Sequence, residues 1–229
     1  IVYIACSSRK NYEQWKKKIH NFNENIEVNA WPVLPKSEGY WYSGFCTKEA
    51  IDTLDQYRGL KIKIDIEPTI PKRYNFLSGL TWIGKHALQE PDNTPYLKKK
   101  IKSLMRDTEI ILSTFPLQEH ILKRWGWIKE ENLNYNFMFY STFIPLPFRK
   151  LYKHYFKRHF LPRHKNAYIA VGLIGHGVFG NEPIYKNVKQ MKNDIQFLRK
   201  EGVETLEFYN LEGISQRGEE WLYTSLEIA

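Results

Sequence analysis

The stretch Leu60–Ile70, reading Leu-Lys-Ile-Lys-Ile-Asp-Ile-Glu-Pro-Thr-Ile, constrains this chain more than any other. Leu60, Ile62, Ile64 and Ile66 fall on one side of a two-residue period, and Lys61, Lys63, Asp65 and Glu67 on the other. Three of the four apolar residues are β-branched, and Pro68 has no N–H to extend a ladder. The segment therefore reads as a strand that stops at the proline. Taken alone, such alternation fits an antiparallel strand with one wet face. Its neighbours along the chain change that reading.

Strand-like runs recur at Ile1–Cys6, Ile26–Leu34, Glu109–Phe115, Tyr135–Ser141, Ala167–Ile174 and Val203–Tyr209. Helical patterns lie between them: Asn11–Phe22 with Trp15, Ile19 and Phe22 on one face, a Thr47-capped segment to Tyr57, Tyr96–Arg106 and Gln118–Trp125. Further along come Phe148–Phe160, then Ile184–Glu201 started by Pro183 and stopped by Gly202, and finally Glu219–Leu226. Pro71–Pro95 is expected to be irregular with short helical pieces. Strand alternating with helix from end to end implies parallel pairing, and nothing in the chain marks a domain boundary.

A doubly wound open sheet calls for central strands apolar on both faces, whereas Leu60–Glu67 and Val203–Tyr209 alternate. A closed barrel accepts that pattern, since one strand face meets helices and the other a narrow interior that is polar near its mouth. The fold expected is α/β, a TIM-type (β/α) barrel formed as a single domain over residues 1–229. Seven strands are visible where such a barrel has eight, so it is either complete with one strand unseen or short by one.

Composition narrows the function classes. Net charge is +9, which admits an anionic partner. Much of the excess sits in Phe148–Lys165, where seven lysines and arginines and three histidines meet no acidic residue. That segment is a candidate for an anionic surface, with no nucleic-acid motif accompanying it. No stretch approaches the roughly 18 unbroken apolar residues of a membrane span. Two cysteines, Cys6 and Cys46, lack metal-ligand spacing and speak against a disulfide scaffold or zinc site. No metal or cofactor is expected. The chain starts at Ile1, and Val2-Tyr3-Ile4-Ala5-Cys6 has a faint likeness to a lipoprotein cleavage site. A removed leader and a cell-envelope or extracellular location are therefore open, and the compartment is undecided.

In a (β/α) barrel, chemistry gathers at the C-terminal ends of the strands. That rule selects Trp31, Asp65 and Glu67, then Tyr140, the loop holding His176, and Glu207 and Asn210 after the last strand. Two carboxylates two residues apart share a face and resist joint ionisation, so one can hold a proton as a general acid needs. They could equally sit with Lys63 and Glu207 in a buried ion network. Trp31 and the Tyr40-Trp41-Tyr42 cluster offer apolar platforms for sugar rings, or loop packing.

Ile64-Asp65-Ile66-Glu67-Pro68 resembles the end of the acidic strand motif of chitinase-type glycoside hydrolases, Asp-x-x-Asp-x-Asp-x-Glu. Phe137-Met138-Phe139-Tyr140-Ser141 resembles that family's tyrosine-bearing strand. The resemblance implies Glu67 as the acid, Asp65 as the carboxylate orienting the substrate's N-acetyl group, and Tyr140 as a hydrogen-bond donor. This chain departs from the motif at Leu60 and Lys63, where the family has acids, and at Ser141, where it has Asp. Its acid strand is also third in order, where the family's is fourth.

Gly175-His176-Gly177-Val178-Phe179-Gly180 fits G-x-G-x-x-G, yet it lies late in the chain, with Asn181-Glu182-Pro183 following in place of an immediate helix. That argues strongly against a dinucleotide fingerprint and leaves a phosphate loop or a tight turn as the readings. Three functions follow. The leading one is a glycoside hydrolase acting on a glycan through Glu67, Asp65 and Tyr140, with Trp31, Trp41, Tyr42, Asn210, Glu207 and His176 binding substrate. The second is a phosphate- or phosphodiester-handling barrel using the glycine-rich loop, with Asp65 and Glu67 on a divalent metal. The third is a silent barrel that binds glycan or an anionic surface.

Overall fold

The structure, a computed structural model, describes residues 1–68 and 76–227. In chain order the elements are β1 (Val2–Cys6), α1 (Arg9–Phe22), β2 (Val28–Pro32), α2 (Lys48–Asp52), β3 (Lys61–Asp65), α3 (Phe76–Leu88), α4 (Thr94–Leu104), β4 (Glu109–Thr114) and α5 (Glu119–Trp125). They continue with β5 (Asn134–Phe139), α6 (Leu146–Tyr155), β6 (Tyr168–Gly172), α7 (Val188–Lys200), β7 (Leu206–Tyr209), α8 (Leu211–Arg217) and α9 (Glu219–Glu227). The strands are parallel in every pair whose register is given below, and strand alternates with helix as expected. Thr69 and Ile70, at the end of the alternating stretch, lie outside the described residues.

The chain divides into two compact units, Ile1–Ile70 with Ile83–Asn134, and Pro71–Trp82 with Tyr135–Ala229. In the first, β1, β2, β3 and β4 lie side by side in chain order. Val2 pairs with Val28, Ala30 with Ile62, and Ile62 with Ile110. Ile62, Ile64 and Ile66 are buried together with Ile51, Leu54, Leu97, Ile101 and Leu104 from the intervening helices. Local chemistry starts these helices: Ser8 accepts from the Asn11 amide and Thr47 from the Ala50 amide, each satisfying an orphan first-turn donor. Tyr57 then ties a 3₁₀ turn (Thr53–Tyr57) to β1 by donating to the Cys6 carbonyl at 2.8 Å.

In the second unit β5, β6 and β7 are neighbours in chain order. Phe137 pairs with Ile169, Phe139 with Val171, and Val171 with Phe208. One face meets the helices through aromatic contacts, with Phe139 4.7 Å from Phe156 and Phe137 4.6 Å from Phe160 between ring centroids. Gly175 and Gly213 let two backbones touch: a Cβ on Gly213 would lie 2.2 Å from the Gly175 nitrogen. That contact seats the start of α8 on the glycine-rich loop.

Several expectations need correction. Trp15 and Phe22 of α1 are exposed, and Tyr12 is the residue that turns inward, donating to the Val28 carbonyl at 2.9 Å. α3 is a 13-residue helix where short pieces were expected, and α8 was not foreseen. α7 starts at Val188, capped by Asn187, so Pro183 precedes the helix without opening it. Gly202 does stop it, at φ 84°.

The buried face of α7 carries Val188, Met191, Asp194, Ile195 and Leu198, and Asp194 is the polar intruder. Its carboxylate accepts from the hydroxyls of Ser141 and of Tyr185 (2.8 Å) and pairs with Lys153 of α6 at 2.6 Å. Removing one partner of such a cluster strands the others. Asp194→Ala is expected to cost about 2–4 kcal/mol of stability in denaturant unfolding. Lys153→Ala, at a side chain one-quarter exposed, is expected to cost less.

Candidate functional site

The register of the first unit assembles its polar face in steps. Asn29 and Trp31 of β2 sit beside Lys61 and Lys63 of β3, which in turn pair with Glu109 and Ile111 of β4. The lowest step is an ion cluster: Lys61 Nζ lies 3.1 Å from carboxylate oxygens of both Glu27 and Glu109. Asn29 Nδ2 donates to Glu27 at 2.8 Å. Burial works to lower the Lys61 pKa, but its hydrogen bonds to Glu27 and Glu109 prevail and hold it above the usual lysine range.

One step up, Lys63 is buried, and its ammonium stands 5.1 Å from the Trp31 ring centroid and 5.8 Å from that of Tyr3. A desolvated ammonium gains from both ring faces. The Trp31 ring, expected as a sugar platform, is thus engaged with this lysine.

The carboxylates follow. Asp65 pairs with Ser113 in register, and the end of the strand is held on both sides. Ile66 N–H donates to the Ser113 carbonyl at 2.8 Å, Tyr42 N–H to the Asp65 carbonyl at 3.1 Å, and Glu67 N–H to the Tyr42 carbonyl at 3.1 Å. Thr114 Oγ1 closes the set by donating to the Ile66 carbonyl at 2.8 Å. Tyr42 is therefore a backbone clamp. Its own ring is buried, with the hydroxyl 2.9 Å from Thr53 Oγ1. Trp41 and Tyr40 remain half-buried beside it, packed edge to face at 5.7 Å.

Asp65 and Glu67 are 2% and 1% exposed, so the wet face that alternation alone would give is here a buried one. Burial pushes the Glu67 pKa well above the usual carboxylate range, and the nearby Asp65 charge pushes it further, with Lys63 opposing. Tyr40, whose backbone takes φ 66°, also has a raised pKa, through burial and then the Asp65 charge. A carboxyl that keeps its proton can hand it to an acceptor oxygen within hydrogen-bond reach, while an adjacent carboxylate orients a polar group. Among the described residues no three His, Cys, Asp or Glu side chains gather as a metal site. Cys6 and Cys46 are buried free thiols with pKa values raised by burial.

The remaining sequence-predicted residues belong to the second unit. Tyr140 and Tyr209 lie 6.0 Å apart between ring centroids, and a Cβ on Gly172 would come within 3.1 Å of the Tyr140 ring and 2.8 Å of the Tyr209 carbonyl. Asn136 Nδ2 donates to Glu207 at 2.7 Å. Asn210 caps α8 by accepting from the Gly213 amide at 2.7 Å, and its Nδ2 donates to the His176 carbonyl at 3.2 Å. His176 is exposed, with Nδ1 3.1 Å from the Glu182 carbonyl.

Glu182 was missed by the sequence reading and decides what the glycine-rich loop does. Its buried carboxylate accepts from the Gly177 amide at 3.2 Å and the Phe179 amide at 2.7 Å. These are the kind of backbone donors that would cradle a phosphate, and the chain's own Glu182 side chain holds them. A carboxylate two residues beyond a glycine-rich run was the available signal. Asp194 was legible too, as a lone acid at buried helical spacing. The pairing of Lys63 with Trp31 was not, because it depends on strand register.

A parallel α/β chain with a buried Asp-x-Glu pair at the C-terminal end of its third strand is thus what fold and site define. No family model matches the chain, and no curated protein matches it. Among solved structures it is similar to the PgaB (BpsB) glycoside hydrolase domain from Bordetella bronchiseptica, at 11% identity and a TM-score of 0.55. The match covers 94% of this chain and 78% of that one, and the likeness is one of fold. No helix among the described residues is long and apolar enough to cross a membrane.

The raised Glu67 pKa has a consequence for stability. As pH rises through the ordinary carboxylate range, an unfolded Glu67 releases its proton while the folded one keeps it, which favours unfolding. Glu67→Gln removes that contribution. Urea unfolding across about pH 4 to 7 is expected to show the variant gaining stability relative to the native chain as pH rises. An advantage that shrinks with pH would contradict the protonated assignment.

Proposed function

We propose that this chain is a carbohydrate-active protein of the (β/α)-barrel type, acting as a glycoside hydrolase on a glycan. One observation carries the reading: a buried Glu67 whose pKa is pushed up by burial and by Asp65, two residues before it, just past the C-terminal end of a parallel strand. In the proposed mechanism Glu67 protonates the glycosidic oxygen and Asp65 orients the group that attacks the anomeric carbon. Trp41, with Tyr40 against it, is the proposed sugar platform in the first unit. Tyr140 and Asn210, with Tyr209, are the polar and aromatic groups that the second unit offers a glycan. Glu207 and His176 have polar partners of their own there and serve as supporting contacts. The fold-level similarity to a glycoside hydrolase domain supports the same class.

Lys63 favours a second reading. A buried ammonium on the same strand face opposes the rise in the Glu67 pKa, and where it prevails both acids stay ionised. The chain would then bind a glycan without cleaving it. The phosphate-handling reading loses support, because Glu182 holds the loop amides that an anion would need.

The test is turnover and binding on an oligosaccharide panel that includes N-acetylglucosamine oligomers. Glu67→Gln is expected to lower turnover by about a hundredfold or more while binding persists, since only proton transfer is removed. Full activity in that variant would refute the hydrolase reading, and binding with no turnover in the native chain would establish the silent one.

A further inference from the structure

The helix α6 and the turns that extend it to Arg163 are amphipathic twice over. The inward face is spent on the core of its unit, with Tyr152 stacked on Phe139 at 5.1 Å and Phe156 and Phe160 buried. Near its start α6 nevertheless leaves large apolar side chains in water: Leu146 is 62% exposed, Phe148 54% and Leu151 66%. A core-packing role cannot account for them.

Cations run alongside. Lys150, His154 and Arg158 recur at four-residue spacing, so they form one exposed row next to the apolar row of Pro147, Leu151 and the half-buried Tyr155. The tertiary structure neutralises only part of the basic segment. Lys153 reaches Asp194 of α7 and Lys157 reaches Glu201 just after it, each at 2.6 Å. Lys150, Arg158, Arg163 and Lys165 have no acidic partner among the described residues.

We infer that the outer face of α6 is a docking surface for an anionic lipid bilayer, with Phe148 and Leu151 entering the headgroup boundary and Lys150 and Arg158 meeting lipid phosphates. Adjacent apolar and cationic rows on one exposed helix are what such an interface rewards. A polyanion in water would reward the cations alone and leave Leu146, Phe148 and Leu151 unexplained.

The experiment is flotation of the full chain with vesicles of phosphatidylcholine, alone or with about one-third phosphatidylglycerol. Binding is expected only to the anionic vesicles. Lys150→Glu with Arg158→Glu, and separately Phe148→Ser with Leu151→Ser, should each weaken it by about fivefold or more. These side chains are exposed, so the circular dichroism of both pairs should match the native chain. A second measurement avoids variants altogether: amine labelling of the unaltered protein should slow at Lys150 on anionic vesicles and not at the exposed Lys17 of α1. No binding to anionic vesicles overturns the inference. So does binding indifferent to the Phe148/Leu151 change, which leaves a merely cationic surface, or equal labelling of Lys150 with and without vesicles, which puts the contact elsewhere.

Discussion

Three ionisable side chains at alternate positions along β3 and its continuation form the constraint around which the first unit is built. Lys63, Asp65 and Glu67 cannot leave water independently, because each lost hydration shell must be replaced by a neighbour's charge, a ring face or a retained proton. The chain uses all three. Trp31 and Tyr3 cover the ammonium, and Lys63 offsets part of the carboxylate charge. Glu67, at the end of the run, meets burial with a pKa pushed well above the usual carboxylate range. The backbone around it is fixed by hydrogen bonds to Tyr42, Ser113 and Thr114, so the acid is carried on a rigid element.

The second unit solves the same desolvation problem with local donors. Asp194 is satisfied by two hydroxyls and a lysine, and Glu182 by two loop amides. Asp194 fastens α7 to α6 and to the turn after β5, and Glu182 folds its loop back on itself. The contrast with Glu67 is chemical. Asp194 and Glu182 each meet several fixed donors and serve as scaffold, whereas Glu67 faces burial and another acid, which push its pKa up.

Much of this was readable in the chain. The two-residue alternation of Leu60–Glu67 located β3, and the regular return of strand after helix implied parallel pairing, because both are local periodicities imposed by backbone geometry. Thr47 marked a helix start and Gly202 a helix end for the same reason. Other signals misled. Trp15 and Phe22 share a helical face with Ile19, yet the first two are exposed, since apolar spacing does not say which of two faces the sheet will cover. Pro183 looked like a helix start, but Asn187 supplies the cap that a proline cannot.

The sequence by itself determined the alternation of strand and helix and the placing of two acids, two residues apart, at a strand end. These follow from periodicity, turn chemistry and the side-chain alternation of a strand. The tertiary structure decided what those residues are for one another. Strand register set Lys63 against Trp31, the fold buried a face that alternation left open to water, and Glu182 came back to fill a loop that resembled a phosphate cradle. Such facts rest on which strands become neighbours and on how much water they exclude, and both depend on contacts between residues far apart in the chain.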